Sequence, residues 1–262
     1  MERYEQERRN NDVVASQRKE QLLKSTGRND EHGRELFIFG HYPTQDDKIE
    51  WIKIKQERNK ILLLSSKILD AKSYNKSVYG DGFEVEDNDF LDYYRKNEIV
   101  CREFWKKSDL YKWLNTDFLD NTFSKEEQNA LVDVGDGKVF CLSVEEAKES
   151  FVANNFDVWG YYAKLLQGYR GLEDYNTITP LAQAQGIEYA IDNGLYVNDG
   201  IYEQIMIKEY KNFSSWWLRS PGTSSCCAAF VYNDGGVHVG GDHLDYSDIG
   251  VRPALWLKMV TS

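Results

Sequence analysis

Two apolar stretches near the C-terminus, WWLRSPG and GVRPALWL, predict strands buried in a core. They enclose residues 223–249, which are small, polar or aromatic and include no Lys, Glu, Gln, Trp or Met. Lys and Glu are frequent in the rest of the chain, so this segment marks a shift in composition. We interpret residues 216–257 as a display surface, in which a presented patch is held between two fixed strands.

Apolar positions from residue 36 onward predict three strands that open the globular domain. The first, LFIFGHYP, ends at Pro43, which cannot donate a hydrogen bond to a strand ladder. IEWIKIK alternates, with Ile49 and Trp51 on one face and Ile52 and Ile54 on the other. KILLLSS is continuously apolar, as in a buried strand, so the last two stretches predict an antiparallel hairpin.

Helical spacing dominates the middle of the chain. EFWKKSDLYKWLNTDFLDNTF predicts a helix with Ser108 as its N-cap. Two capping boxes predict further helix starts: Ser124 with Glu127, and Ser143 with Glu146 after the strand KVFCLS. The apolar face of the first helix comprises Leu110, Trp113, Leu114 and Phe118.

A later helix is predicted over LAQAQGIEYAIDNG, from Thr179-Pro180 to a stop at Asn193-Gly194. Strands, then helices, then strands make an α+β pattern rather than alternating βαβ units. Residues 1–35 are charged with a thin apolar stripe, and predict an N-terminal arm or docked helix before a domain at 36–258. Residues 67–100, 154–178 and 195–212 give no clear pattern.

The overall charge disfavours some partners. The formal net charge is −11, which repels nucleic acids and anionic membranes because both carry phosphate. The charged residues 1–30 do not resemble a signal peptide, and no run of about 18 apolar residues occurs that could span a membrane. We expect cytoplasmic synthesis, with display on a phage particle left open.

The motifs IEW, ILLLS, WLN, VFCLS, WWLRSPG and GVRPAL occur in this order. Together they resemble a bacterial domain family of unknown function, across residues 36–258. That family is similar to the C-type-lectin-like fold shared with formylglycine-generating enzymes. The resemblance implies antiparallel sheets with flanking helices, in which the first and last strands of the domain, 36–42 and 253–258, pair with each other.

Some members of that fold are the variable, or hypervariable, proteins of diversity-generating retroelements, in which template adenines are copied unfaithfully. An Asn codon altered at its first two bases never encodes Lys, Glu, Gln, Trp or Met, and residues 223–249 obey this restriction throughout. Turn-rich hairpins also favour Gly, Asp, Asn and Ser. An ordinary hairpin surface is therefore the alternative to a diversified one.

Side chains that can bind metals occur in the same segment. Adjacent cysteines are expected to place their sulfurs poorly for one tetrahedral zinc ion. Aspartates spaced by three lack the glycine and terminal glutamate of a calcium loop, and predict a solvated acidic face. We therefore expect no metal and no cofactor. The residues concerned are Cys226, Cys227, His238 and His243 for zinc, and Asp242, Asp245 and Asp248 for calcium.

No catalytic motif stands out in the sequence. A formylglycine-generating-enzyme-like oxidoreductase is the alternative function, although such enzymes need two separated C-terminal cysteines and the pair here is adjacent. Arg219 and Arg252 are expected to form structural hydrogen bonds to carbonyl or carboxylate oxygens. Trp216 and Trp217 should point to opposite sides of a strand, one into the core and the other as the floor of the display surface.

These patterns lead us to predict a non-enzymatic ligand- or receptor-binding protein, the target protein of a diversity-generating retroelement. Tyr, Ser, Asn and Gly suit adaptable binding surfaces because they give contact area and hydrogen bonds at low entropic cost. The expected partner is a protein or glycan, with residues 1–35 available for self-association or attachment. The predicted ligand-binding residues are Trp217, Ser224, Ser225, Cys226, Cys227, Phe230, Tyr232, Asn233, Asp234, His238, Asp242, His243, Asp245, Tyr246 and Asp248.

Overall fold

A computed structural model of the chain describes residue 6 and residues 22–77, 98–151, 176–178, 180–197, 212–222 and 226–259. These residues form two mainly antiparallel sheets with short helices, which is the predicted α+β class. Buried apolar side chains from both sheets and from the helices join in one core. Among the described residues, no helix is long and apolar enough to cross a membrane.

The strands are β1 (Lys24–Asn29), β2 (Glu35–His41), β3 (Lys48–Glu57), β4 (Lys60–Ser65), β5 (Asp70–Ala71), β6 (Leu131–Val132), β7 (Val139–Phe140), β8 (Asn176–Ile178), β9 (Trp216–Pro221), β10 (Cys227–Val231), β11 (Gly236–His243), β12 (Gly250–Val251) and β13 (Ala254–Lys258). The helices are α1 (Glu98–Lys107), α2 (Asp109–Trp113), α3 (Leu119–Thr122), α4 (Lys125–Ala130), α5 (Val144–Phe151) and α6 (Glu188–Asp192). A π-helical segment, Leu114–Phe118, joins α2 to α3.

The first sheet has the order β1-β2-β3-β4-β13-β6, and β7 also pairs with β13. The predicted hairpin of β3 and β4 is present and antiparallel. Strands β4 and β13 are buried along nearly their whole length. Both carry continuous apolar runs, so each needs cover on both faces and a hydrogen-bonded neighbour on each side. This requirement places them in the interior of the sheet.

The predicted pairing of residues 36–42 with residues 253–258 is wrong. Strand β13 pairs with β4, from Ala254 opposite Leu64 to Lys258 opposite Lys60, whereas β2 pairs with β1 and β3. Strand β2 is only partly buried. It can therefore pair on its outer side with β1, which is mostly exposed. The apolar β13 is stabilised more beside the equally apolar β4.

Residues 24–29, which lie within the predicted N-terminal arm, form β1 and pair with β2 in this sheet. The Thr26 hydroxyl donates to the Leu36 carbonyl at 2.9 Å, which ties β1 to β2. The turn between them is closed by the Asp30 carboxylate, which accepts from the backbone N–H groups of His32 at 3.0 Å and Arg34 at 2.8 Å. Most of the arm before residue 22 lies outside the described residues.

The second sheet has the order β5-β12-β9-β10-β11-β8, and it contains the display surface. Strand β9 is its buried centre, with β12 parallel on one side and β10 antiparallel on the other. Gly250 of β12 lies opposite Trp216. A Cβ atom at Gly250 would come within 2.5 Å of Ile68 Cγ2 and 2.9 Å of the Ser215 carbonyl oxygen, so only glycine allows this approach.

The helix starts predicted at Ser108, Ser124 and Ser143 are confirmed. The Ser108 hydroxyl accepts the Tyr111 N–H at 3.0 Å, and both capping boxes close. The helix is interrupted by the π-helical segment, where Asn115 turns toward β7. Its side-chain amide accepts from the Lys138 N–H at 2.8 Å and donates to the Val139 carbonyl at 2.8 Å.

The predicted helix from Thr179 to Gly194 is only partly present, because it consists of a 3₁₀ turn at 180–182 and then α6. Between them the backbone pairs with Ile68 instead of continuing a helix. The Ile68 N–H donates to the Gln185 carbonyl at 2.9 Å, and the Ile187 N–H donates to the Ile68 carbonyl at 3.0 Å. Tertiary hydrogen bonds therefore replace the intrahelical ones.

Candidate binding surface

The floor of the display surface is formed by β9, in which both tryptophans are buried. Trp216 Nε1 donates to the Ala182 carbonyl at 3.0 Å, and Trp217 Nε1 donates to the Lys72 carbonyl at 2.8 Å. The relative exposure of Trp217 is 0%. The two rings do point into different surroundings, but both faces of the strand are covered. The expectation that Trp217 offers its ring to a ligand is therefore corrected.

Arg219 anchors β9 to the helical side of the molecule, in the structural role predicted for it. Its Nη1 donates to the Cys141 carbonyl at 3.0 Å and contacts the Glu146 carboxylate. Its Nη2 lies 3.4 Å from an Asp136 carboxylate oxygen. The two carboxylates offset the desolvation of the buried guanidinium.

Arg252 has the same kind of structural role at the other end of the display surface. Its guanidinium donates to the carbonyls of Ser65 at 2.9 Å, Ala182 at 3.1 Å and Ser66 at 3.3 Å. The group also lies 5.1 Å from the centre of the Trp216 ring. Burial lowers the pKa of Arg252 to about 9, so the side chain still carries its charge at neutral pH.

An aromatic cluster, defined here as Phe230, Tyr232 and His238, lies on strands β10 and β11. Phe230 and His238 face each other in the strand register, with ring centres 4.9 Å apart. Tyr232 packs 5.3 Å from His238 and is 42% exposed, whereas Phe230 is buried. Phe230 therefore supports the cluster from below, and Tyr232 with His238 forms its outer part.

Burial shifts the pKa values of two titratable side chains at the aromatic cluster, His238 and Asp234. Burial lowers the pKa of His238, against the opposing influence of Asp234 and Asp242. Burial raises the pKa of Asp234, although its carboxylate accepts the Gly236 N–H at 2.7 Å. Both shifts favour neutral side chains, as expected for groups with restricted access to water.

A second exposed group surrounds Tyr246, which is 46% exposed and packs 5.5 Å from the His243 ring. Asp245 and Asp248 beside it are exposed. The backbone N–H of Tyr196 donates to the Asp248 carbonyl at 3.0 Å, and Tyr196 is 49% exposed. Tyr196 thus borders the display surface. The sequence pattern missed it because residues 195–212 show no periodicity that ties them to this edge.

A thiol cluster, defined here as Cys226, Cys227 and His243, occupies one end of the β10–β11 pair. The two sulfur atoms lie 3.7 Å apart, and one potential ligand atom from each of the three residues lies within 4.8 Å of the others. His238 is not part of this group. The expectation that adjacent cysteines hold their sulfurs poorly for one ion is corrected by this separation.

The other predicted ligand-binding residues differ in their exposure. Asn233 is buried, and its carbonyl accepts from Gln183 Nε2 at 3.3 Å. Asp234 and Asp242 are half-buried. Ser224 and Ser225 lie outside the described residues. Trp217, Phe230 and Asn233 are thus buried, and the more exposed members of the predicted set are Tyr232, His238, His243, Asp245, Tyr246 and Asp248.

Comparison with known protein families shows which family the chain belongs to. The family model described as "Domain of unknown function (DUF6273)" matches residues 58–259, so the chain belongs to this family. The matched region spans β4 to β13 and includes the whole display surface, whereas β1 to β3 precede it. No curated protein and no solved structure matches the chain.

Proposed function

We propose that this member of the DUF6273 family is a non-enzymatic ligand- or receptor-binding protein whose contact residues lie on the display surface. The observation that carries the proposal is the separation of side chains along residues 226–249. Small and aliphatic residues and Phe230 face the core, whereas two tyrosines, the histidines and the aspartates are exposed or half-buried. The inward-facing residues are Ala228, Ala229, Val231, Val237, Val239 and Leu244.

The exposed chemistry suits recognition of a protein or a glycan. Tyr196, Tyr232 and Tyr246 offer large rings with few rotatable bonds, and each ends in a hydroxyl that can donate or accept. Rings of this kind often act as the anchors of a binding interface. The segment 223–249 adds four aspartates and no lysine, arginine or glutamate. Its local field therefore favours ligands with cationic or hydroxyl groups.

The proposed fold is C-type-lectin-like, and the ends of the family region support it. That region begins at residue 58, so its first strand is β4, and its last strand is β13. These two strands pair along five residues each. Within the family region β4 and β13 are therefore neighbours, whereas the pairing of residues 36–42 with residues 253–258 that the resemblance implies is absent.

We further propose that the display surface is diversified by a retroelement. The restricted composition of residues 223–249 supports this, because the segment contains none of the five residues that an altered Asn codon cannot encode, Lys, Glu, Gln, Trp and Met, whereas the buried frame on both sides contains Trp. The test is the neighbouring DNA. We expect a reverse-transcriptase gene and a near-copy of the codons for 216–257 that differs at adenines. Absence of both would contradict diversification and leave binding open.

A binding experiment tests the proposed function itself. The labelled 262-residue chain is applied to a glycan array and to fixed bacterial cells, and bound label is measured for wild type and variants. We expect saturable binding that falls at least about tenfold in a Tyr232→Ala, Tyr246→Ala double variant, because each anchor contributes more than about 1 kcal/mol.

The matched control for this experiment is Tyr189→Ala. Tyr189, on α6, is also an exposed tyrosine, at 39%. It packs against Tyr42, away from β10 and β11. This variant should bind as the wild type does. Equal binding by the double variant and the wild type would show that the display surface is not the contact site.

A further inference from the structure

We propose that the thiol cluster is a Zn²⁺ site with three protein ligands, Cys226 Sγ, Cys227 Sγ and a ring nitrogen of His243. The inference does not depend on the proposed function, because an ion can bind here whether or not the display surface has a macromolecular partner. It rests on the separations of the ligand atoms, the strands that hold them, and the charge of the segment.

The sulfur atoms have the spacing of two ligands of one tetrahedral ion. With zinc–sulfur bonds of about 2.3 Å, the edge of a tetrahedron between two sulfurs is about 3.8 Å. The observed Sγ–Sγ separation is 3.7 Å. A ring nitrogen of His243 lies within 4.8 Å of both sulfur atoms. The His243 side chain is exposed, so its rotation can bring this nitrogen closer to the ion.

The ligands are carried by paired strands, which hold them in place. Cys227 of β10 lies directly opposite His243 of β11. The Leu244 N–H donates to the Cys226 carbonyl at 2.9 Å, and the Gly222 N–H donates to the Cys227 carbonyl at 2.8 Å. The backbone around both cysteines is thus hydrogen-bonded on two sides, which limits the cost of organising the site when the ion binds.

Gly222 makes this close arrangement of strands possible. A Cβ atom there would lie 2.8 Å from the Cys227 Cβ and 2.6 Å from the Gly240 carbonyl oxygen. Any side chain at position 222 would therefore push Cys227 away from its present position. A larger residue at 222 should lower metal affinity even though the glycine itself supplies no ligand atom.

The ligand types and the charge select zinc. Thiolate and imidazole ligands suit Zn²⁺, whereas Ca²⁺ and Mg²⁺ require oxygen ligands. The four aspartates of residues 223–249 give the segment a negative charge that attracts a dication. On binding, each thiol releases one proton to solvent and the imidazole binds through its neutral nitrogen. Three protein ligands leave the fourth tetrahedral position for water.

The test uses the reduced, metal-free, 262-residue chain. Co²⁺ serves as an optical probe and Zn²⁺ as the competitor. We expect one Co²⁺ per chain, a thiolate-to-cobalt charge-transfer band, and its loss when Zn²⁺ is added. Cys226→Ser, Cys227→Ser and His243→Ala should each weaken Co²⁺ binding at least about 100-fold, since loss of even an outer-shell partner costs about 10–100-fold.

Two matched variants separate this site from general metal adsorption. His238→Ala removes the other histidine of the same strand, and Cys101→Ser removes a half-buried thiol elsewhere. Both should bind Co²⁺ as the wild type does. His243→Cys should retain binding with a stronger thiolate band, which guards against loss of binding through misfolding. Circular dichroism of every variant is measured alongside.

Three results would overturn the proposal. The first is no charge-transfer band in the wild-type chain at one equivalent of Co²⁺. The second is retained binding in a Cys226→Ser, Cys227→Ser double variant. The third is an equal loss of affinity in His238→Ala and His243→Ala. The Tyr232→Ala, Tyr246→Ala variant keeps all three ligands, so its failure to bind glycans or cells would leave the zinc result unaffected.

Discussion

Single residues in this protein act mainly by satisfying buried polar groups. Arg219 is the clearest case, because its guanidinium lies between β9 and the start of α5 and is bonded to a carbonyl and two carboxylates. An arginine fork can reach acceptors in several directions, whereas a lysine has one charged point. The predicted structural role of this residue follows from its chemistry, but its partners became known only from the fold.

We expect Arg219→Met to lower the free energy of unfolding by about 3–5 kcal/mol, because Asp136 and Glu146 would lose a partly buried partner. Urea denaturation followed by tryptophan fluorescence measures this change. Lys125→Met removes an exposed ion pair with Asp120, and should leave the unfolding curve unchanged. Similar curves for Arg219→Met and wild type would contradict the structural role.

His238 should make stability depend on pH. Burial lowers its pKa from the usual 6.5, so the unfolded chain binds the proton more readily than the folded chain. The contribution of neutral His238 to the free energy of unfolding is therefore complete above about pH 6.5. It is lost as the pH falls through the pKa of His238 in the folded chain. Melting temperatures at pH 7.5 and pH 5.5 should differ less in His238→Asn than in wild type.

Asp234 provides a check on the direction of this effect. Its carboxylate favours the charged imidazole of His238, so Asp234→Asn should lower the pKa of His238 further. Burial raises the pKa of Asp234 itself. The contribution of Asp234 to the free energy of unfolding is therefore larger in acid and smaller as the pH rises. Both effects predict a greater acid loss of stability in Asp234→Asn. A smaller loss would contradict the assignment.

At the scale of elements, β10, β11 and the turn after them combine buried apolar positions with exposed polar and aromatic ones. The buried positions are mostly apolar, and the exposed positions are polar or aromatic. Leu244 and Tyr246, in the turn after β11, illustrate the contrast two residues apart, since Leu244 is 3% exposed and Tyr246 is 46% exposed. A surface of this kind can change its side chains while the strands keep their register.

We expect Leu244→Ala to cost about 2–5 kcal/mol of unfolding free energy, and Tyr246→Ala to change it by no more than about 0.5 kcal/mol. Both are measured by chemical denaturation under one set of conditions. The difference arises because only Leu244 leaves a cavity. Comparable losses in the two variants would argue against a tolerant outer face.

At the scale of the whole molecule, β4 and β13 join the two ends of the family region. Strand β13 also pairs with β6 and β7, so it links the N-terminal strands to the middle of the chain. Strand β1, in contrast, is an edge strand with mostly exposed residues. The stability of the sheet should therefore decrease from β4 and β13 toward β1.

Hydrogen exchange measured by mass spectrometry tests this gradient. Backbone amides of residues 61–64 and 254–257 should exchange most slowly, through global unfolding. Amides of residues 24–29 should exchange much faster, through local opening of the edge. Equal protection of β1 and β13 would contradict the described order of the sheet.

Local chemistry allowed much of the secondary structure to be predicted. The caps at Ser108, Ser124 and Ser143 depend on neighbours three residues away, and all three are present. The helix predicted over 180–194 is incomplete because Ile68, distant in the sequence, takes its backbone hydrogen bonds. Long-range competition of this kind leaves no trace in a local pattern.

Short-range periodicity and side-chain chemistry were enough to predict the α+β class, the β3–β4 hairpin, the buried frame around residues 223–249 and the structural role of Arg219 and Arg252. The fold was needed to show that β13 lies beside β4, that Trp217 is buried, and that Cys226, Cys227 and His243 meet. Those facts depend on which strands become neighbours, and strand pairing is settled by burial summed over the whole core.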